Sequence, residues 1–276
     1  FFTNKKILIT GNTGFKGTWL TTFLLLMNAK VVGFSYNVPS QPSMYKALIK
    51  KNKIKQYFED IRNFNKINSV IKKEQPDIIF HLAAQSLVKN SFYDTLNTWE
   101  TNVLGTANLL ESLKNIKKRI VVVLITSDKS YKNKEWIWGY KETDEIGGKD
   151  PYSGSKASAE LVIYSYFHSF FKNRKTNIKL GIARAGNVIG GGDWASDRIV
   201  PDCIRNWSKN QRAIIHNPTS TRPWQHVLEP ISGYLQLALK LNENNKLNGE
   251  AFNFGPNSNQ NKTVKDLVKK MSSFWI

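Results

Sequence analysis

Short apolar runs alternate with longer stretches of helical period along this chain. That alternation predicts an α/β fold built on a parallel sheet wound with helices on both faces. Lys5-Lys6-Ile7-Leu8-Ile9 reads as a buried first strand, and Thr18 to Leu26 as the helix after it. Lys30–Ser35 reads as a second strand, and Pro39–Ser43 as a turn-rich loop. Tyr57–Arg62 is a short strand ending in an acid, with a helix from about Asn65 to Lys73 behind it. Pro76–Gln85 is a strand that runs into small residues, and helical spacing then extends from Thr95 to about Ile116. Arg119–Thr126 contains the longest purely apolar run, Ile120–Ile125, which suits a strand buried on both faces in mid-sheet. A long helix is expected from Pro151 to about Phe171 and a strand over Ile178–Arg184. The pattern then changes to a Gly-rich loop over Ala185–Trp194, a short helix opened by Asp197–Pro201, and a helix from about Pro230 to Leu241.

Between the first strand and its helix lies Thr10-Gly11-Asn12-Thr13-Gly14-Phe15-Lys16-Gly17. Strand, glycine turn and helix in this order form the context of a dinucleotide site. Gly11 permits the tight turn, Gly14 lets the backbone approach a pyrophosphate, and Gly17 lets the helix lie close. The helix N-terminus offers unpaired N–H groups to the phosphates. The expected architecture is a Rossmann-type, doubly wound parallel sheet over 1–185, with a smaller substrate-binding lobe over 186–276. That lobe is expected to be incomplete at its C-terminal end, with some segments returning to the first domain. In NAD sites an acid near the end of strand two takes the ribose hydroxyls. Here Tyr36-Asn37-Val38-Pro39 carries none, and no Arg follows closely to mark a 2′-phosphate site.

Charge and composition narrow the partners. The net charge is +19, but the excess is mostly Lys scattered along the chain. A solvated surface is the better reading than a nucleic-acid footprint, with some attraction for an anionic substrate. Lys114 to Arg119, the densest cluster, ends a predicted helix, where cations favour the dipole. The single Cys203 excludes an internal disulfide or a Cys-rich zinc site and suits a reducing cytoplasm. Ile120–Ile125 is far too short to span a membrane. The first strand follows Phe1–Lys5 at once, so no signal peptide is expected; the chain also begins without Met.

Candidate chemistry gathers at strand ends. Ser127-Asp128-Lys129 follows the most apolar strand, at the carboxyl end where such sheets bind ligands. Tyr152 and Lys156 are spaced to share one helix face, where an ammonium is expected to lower the phenol pKa and make it a usable base. His81 reads as a packed strand-end histidine. Arg184, Arg198 and Arg222 are of the type that binds phosphate in bidentate fashion.

Together, Thr10–Trp19, His81–Val88, Thr126–Tyr131, Trp136–Tyr140, Asp150–Lys156, Arg184–Trp194 and Arg222–Pro230 resemble the extended short-chain dehydrogenase/reductase family. Within it, Thr126-Ser127-Asp128-Lys129, Gly186–Trp194 and Arg222–Pro230 resemble the CDP-glucose 4,6-dehydratases. Dehydratases of dTDP-glucose typically have Asp-Glu where this chain has Asp128-Lys129. The resemblance implies tightly held NAD in contact with Gly11, Asn12, Thr13, Gly14, Phe15, Lys16 and Gly17, with Asp60 and Ile61 at the adenine. It puts Leu82, Ala83, Ala84 and Gln85 along the cofactor, and Tyr152 and Lys156 at the nicotinamide ribose. Ser86, Asn187, Arg198, His216 and Arg222 would hold a nucleotide-diphosphate sugar, CDP-glucose by preference. It also implies a cytoplasmic homodimer built from the helices around 95–116 and 151–171, with no metal. Three positions depart from the subgroup: Asn12 stands for a usual His, Asn37 for Asp, and His216 for Arg. The relatives continue well past the equivalent of Ile276.

The implied reaction is C4 oxidation with Tyr152 as base and Ser127 on O4, and loss of water across C5/C6 with Lys129 as base and Asp128 as acid. Hydride return to C6 completes it. A nucleotide-sugar 4-epimerase, or a dehydratase of a dTDP-, GDP- or UDP-linked sugar, is the alternative. A non-catalytic NAD-binding regulatory protein is a remote one.

Overall fold

The computed structural model describes residues 1–49, 53–172, 176–257 and 260–275. Its strands are β1 (Lys6–Thr10), β2 (Lys30–Ser35), β3 (Lys55–Phe58), β4 (Ile78–His81), β5 (Ile120–Ile125), β6 (Ile178–Ala185), β7 (Val188–Ile189), β8 (Thr221–Arg222), β9 (Gln225–His226), β10 (Ala251–Phe254) and β11 (Lys262–Thr263). The helices are α1 (Phe15–Leu26), α2 (Met44–Leu48), α3 (Phe64–Glu74), α4 (Val88–Tyr93), α5 (Thr95–Trp99), α6 (Gly105–Leu113), α7 (Pro151–Tyr166), α8 (Ile199–Trp207), α9 (Leu228–Glu243) and α10 (Val264–Ser272).

Seven strands form the main sheet in the order β10-β6-β5-β4-β1-β2-β3, and every neighbouring pair is parallel. The order reverses between β1 and β4. In such sheets this reversal opens the crevice where ligands bind, outside the carboxyl ends of the strands. All of β5 is buried, as its apolar run requires. Successive side chains point to opposite faces. Val121, Val123 and Ile125 meet Ile7, Ile9, Leu20 and Leu24 of β1 and α1, with Tyr234 and Leu241 of α9. On the other face Val122 and Leu124 meet Leu8, Ile67 and Ile71, with Leu109 and Ile163 of α6 and α7.

The helix expected from Thr95 to Ile116 is α5, a π-type turn over Glu100–Leu104, and α6. The expected 151–171 helix likewise ends in a π-type turn over Phe167–Phe171. Helices α2 and α4 lie in stretches to which the sequence pattern assigned no element. Ser43 caps α2 by accepting from the Lys46 N–H. β10 lies beyond residue 185 yet completes the main sheet beside β6. Among the described residues, no helix is long and apolar enough to cross a membrane.

Candidate active site

The glycine turn after β1 has three different steric requirements. Gly11 has φ +73°, and a Cβ there would lie 2.7 Å from the Ala83 nitrogen. A Cβ on Gly17 would lie 2.1 Å from the Gly11 oxygen. At Gly14, by contrast, the nearest atom is the Gly11 oxygen at 3.5 Å, and the space beyond is a cavity of about 1110 Å³. Gly11 and Gly17 are therefore needed for folding, whereas Gly14 keeps open a surface for a ligand. Helix α1 starts at this cavity without a side-chain cap or an acid in its first turn. Its bare N–H groups favour an anion.

The cavity floor is Leu82, Ala83, Ala84, Gln85 and Ser86, with Asp60, Ile61 and Arg62 at one side. Ala83 is fixed by its N–H, which donates to Thr10 Oγ1 at 3.2 Å. His81 sits behind, with Nδ1 2.7 Å from Thr10 Oγ1 and Nε2 3.1 Å from Thr106 Oγ1. Thr106 gives its own proton to the Asn102 carbonyl, so His81 carries its hydrogen on Nε2. Burial holds its pKa down at about 3, and His81 is a neutral clamp between β1, β4 and α6. Asn102, in the π-type turn, accepts from Gln85 N–H at 2.8 Å and donates to Ser155 Oγ at 2.8 Å. It thereby ties the floor to α7. No sequence signal pointed to Asn102.

The Gly-rich loop after β7 closes the far side. Trp19 Nε1 donates to the Gly191 carbonyl at 2.9 Å. Arg198 pairs with Asp193 at 2.8 Å and reaches Ser86 Oγ at 3.3 Å. Lys16 lines the same cavity and feels the charges of Lys156, Arg198 and Asp128. Burial and those neighbouring cations lower its pKa to about 7.

Past β5, a 3-10 turn over Asp128–Ser130 folds two consecutive side chains together. Lys129 Nζ lies 3.2 Å from Asp128 Oδ2, and Ser127 Oγ donates to Asp128 Oδ1 at 3.1 Å. Asp128 also borders Gly186, where a Cβ would come within 3.2 Å of its carboxylate. Asp150 caps α7 through Ser153 N–H, and α7 packs against this turn, bringing Tyr152 within the influence of Ser127 and Asp128. Tyr152, Ser127 and Lys156 are buried. The Tyr152 pKa is raised, not lowered, in the ligand-free chain. Burial pushes Tyr152 up to about 12, with Ser127 and Arg198 pulling against it. Burial lowers Lys156 itself to about 8.

Other residues singled out in the sequence lie elsewhere. Asn12 is fully buried behind the turn, donating to Gln56 Oε1 at 2.7 Å and accepting from Ser35 Oγ at 2.7 Å. Its side chain has no face toward the cavity. Arg184 is buried against Glu160 and is not a phosphate site. His216 is exposed and does not line the cavity. Arg222 lies on β8, outside the cavity lining, and donates to the Thr221 carbonyl. Asn187 is also outside the cavity lining, joined through its backbone to Gln225, and its buried Oδ1 has no partner among the described residues. Thr13 and Phe15 line the cavity as expected of the turn.

Residues 8–273 match the family described as GDP-mannose 4,6 dehydratase. The chain belongs to this family. Over its whole length it is 45% identical to the CDP-glucose 4,6-dehydratase of Salmonella typhimurium, covering 77% of that protein. It is 25% identical to the UDP-glucose 4-epimerase of Mycoplasma genitalium, over 96% of this chain and 81% of the relative. Among solved structures, a Bacillus anthracis dTDP-glucose 4,6-dehydratase in complex with NAD superposes with a TM-score of 0.79 at 22% identity. That match covers 98% of this chain and 80% of the other. The fold described above is thus shared with a dehydratase whose structure holds NAD.

The cavity fits a dinucleotide on the chain's own geometry. Gly14 leaves room where a Cβ would intrude, α1 presents bare N–H groups, and Lys16 adds a cation beside them. Arg62 stands at the far end, which the sequence reading did not anticipate. It is held by Asp60 at 2.7 Å, by Asn97 at 2.9 Å and by Glu100 at 3.2 Å. Its charge is therefore already compensated, and among the described residues a 2′-phosphate finds no free cation there.

Proposed function

We propose that the chain is an NAD-dependent CDP-glucose 4,6-dehydratase that converts CDP-glucose to CDP-4-keto-6-deoxyglucose and water. The observation that carries this reading is the Asp128–Lys129 pair, 3.2 Å apart and beside Tyr152. A 4-epimerase on this fold needs a base at O4 but neither an acid nor a base at C5/C6. The 45% identity to a CDP-glucose 4,6-dehydratase over the whole chain supports the same substrate.

NAD, when bound, supplies the oxidant for C4 and returns the hydride to C6. Gly11–Gly17 and the floor residues Leu82–Gln85 hold it, and Asp60 is the acid at its adenosine end. Tyr152 receives the O4 proton, and Lys156 holds the nicotinamide ribose. The 4-keto group acidifies the C5 proton, which Lys129 removes while Asp128 protonates the departing C6 hydroxyl. Positioned acid–base groups of this kind each contribute about 10²–10⁴-fold. Ser86 and Arg198, joined at the cavity wall, take the substrate diphosphate.

The chain is proposed to act as a cytoplasmic homodimer. Phe92, Tyr93 and Leu96 on α4 and α5 are 62%, 80% and 77% exposed, and Leu161 and Tyr164 on α7 are also exposed. A second copy would cover this apolar surface. The NAD-loaded chain, incubated with CDP-, dTDP-, UDP- and GDP-glucose, should yield a 4-keto-6-deoxy product from CDP-glucose at the highest kcat/KM. A 4-epimer as product, or no product, would refute the reading.

A further inference from the structure

An acid lines the cavity that is to receive two anionic groups. Asp193 stands on its wall with Arg198 and Lys16, and its side chain is only 7% exposed. A carboxylate buried there without partners would be destabilising and would repel a phosphate. Both of its oxygens are instead occupied. Oδ2 accepts from Arg198 Nη1 at 2.8 Å, and Oδ1 accepts from the Ala195 N–H at 3.2 Å.

The chain on either side of Asp193 is held by contacts from outside its own loop. Before it, Trp19 of α1 donates to the Gly191 carbonyl at 2.9 Å. Gly192, at φ +87°, lies so close to α2 that a Cβ would come within 2.2 Å of Met44 Sδ. After it, Asp197 has φ +59° and pairs with Lys89 of α4 at 2.9 Å. The loop is thus tied to helices on both sides of the cavity, and the carboxylate is a fixed point on its wall.

Arg198 is partly exposed, and its two links are unequal. The bond from Nη1 to Asp193 is short and joins opposite charges. The bond from Nη2 to Ser86 Oγ is longer, at 3.3 Å, and goes to a neutral hydroxyl. An incoming phosphate oxygen can displace the second but not the first. The Arg198 Nε–H and the remaining Nη hydrogens have no partner among the described residues. They are left for a bidentate grip on an anion.

We infer that Asp193 is a positioning residue for the substrate: it holds Arg198 by one edge so that the free donors meet the diphosphate of the nucleotide sugar. This step rests on the dehydratase reading, which puts that diphosphate at Ser86 and Arg198. Asp193 acts through Arg198 and not on the sugar. A long, flexible side chain fixed before the substrate arrives spares the complex the entropy of ordering it.

The test uses the NAD-loaded chain. Calorimetric titration with CDP, which carries a diphosphate but no sugar, reads the anion site alone, and steady-state rates with CDP-glucose read turnover. Asp193→Asn keeps the size of the side chain and removes its charge. CDP should bind about tenfold more weakly to this variant. KM for CDP-glucose should rise by about the same factor while kcat stays within about twofold, and NAD affinity should not change. Arg198→Met should weaken CDP binding at least as much. Adding Asp193→Asn to Arg198→Met should weaken it no further, because the acid acts only through the arginine. CDP binding unchanged or tighter in Asp193→Asn would overturn the proposal. So would a matching loss of NAD affinity, which would make Asp193 a support of the whole cavity, or additive losses in the double variant. No 4-keto-6-deoxy product from a wild-type chain that binds CDP would instead refute the dehydratase reading and leave the Asp193 comparison standing.

Discussion

Both carboxylate oxygens of Glu160 accept from Arg184 Nε, at 3.0 and 2.9 Å, with the two side chains only 2% and 6% exposed. Thr126, next to Ser127, donates to the same carboxylate at 2.6 Å. Arg184 Nη1 donates to Tyr131 Oη at 2.7 Å and to the Glu142 carbonyl at 2.9 Å. One ion pair thus joins β5, β6, α7 and the loop beyond Lys129.

Breaking this pair leaves a buried charge without a partner. Glu160→Gln or Arg184→Met should each destabilise the chain by roughly 3–5 kcal/mol. Glu160→Met with Arg184→Met removes both charges and should recover much of that loss. Urea denaturation of the three variants checks the cycle. Equal losses in the single and double variants would refute the account.

Arg184 shows why part of the site could not be read from the sequence. Its type suits phosphate equally well, and nothing local reveals that Glu160 faces it across α7 and β6. Asn12 is similar: within the glycine turn it looks like a cofactor contact, but the fold turns it toward Ser35 and Gln56. The elements themselves were legible where apolar period is strong, as in β5 and α7. What periodicity cannot encode is long-range pairing: Arg62 with Asn97 and Glu100, Lys16 within reach of the Lys156 charge, and Asn102 bridging the floor to Ser155.

The glycine turn gives a sharp contrast. Gly14→Val meets open cavity and a permissive φ of −76°, so the variant should fold with nearly wild-type thermal stability yet lose NAD binding. Gly17→Val meets the Gly11 carbonyl at 2.1 Å and should fail to fold. Calorimetric binding of NAD paired with circular dichroism distinguishes the two. NAD binding by Gly14→Val at wild-type affinity would remove the pyrophosphate from this position.

Selectivity against NADP is predicted to depend on Asp60. Its hydrogen bonds to Arg62 lower the carboxylate pKa and occupy the guanidinium, whose pKa they raise. Asp60→Asn keeps the shape but removes the compensating charge. The variant should bind NADP about tenfold more tightly relative to NAD, an increment of ~1.4 kcal/mol. Titration with both nucleotides reads the ratio directly; an unchanged ratio would mean that Arg62 does not face the 2′ position.

Lys156 links catalysis to pH-dependent stability. Burial lowers its pKa to about 8, against about 10.5 for an unfolded lysine. Between those values the unfolded chain binds more protons than the folded one, so this group's contribution to stability rises as pH rises. Its penalty is complete below about pH 8 and fades toward pH 10.5. Glu160 opposes the shift, and Lys16, itself lowered to about 7 by burial, feels the Lys156 charge. Lys156→Met removes the buried ammonium and should stabilise the ligand-free chain by roughly 2–3 kcal/mol at about pH 7, while abolishing NAD-dependent turnover. The advantage over wild type should be largest at about pH 6–7 and shrink steadily toward about pH 9.5. Denaturant midpoints of the two chains across that range give the difference free of the other titrating groups. A gap that stays constant with pH would show that Lys156 carries no burial penalty on its charged form, and that the variant acts through packing alone.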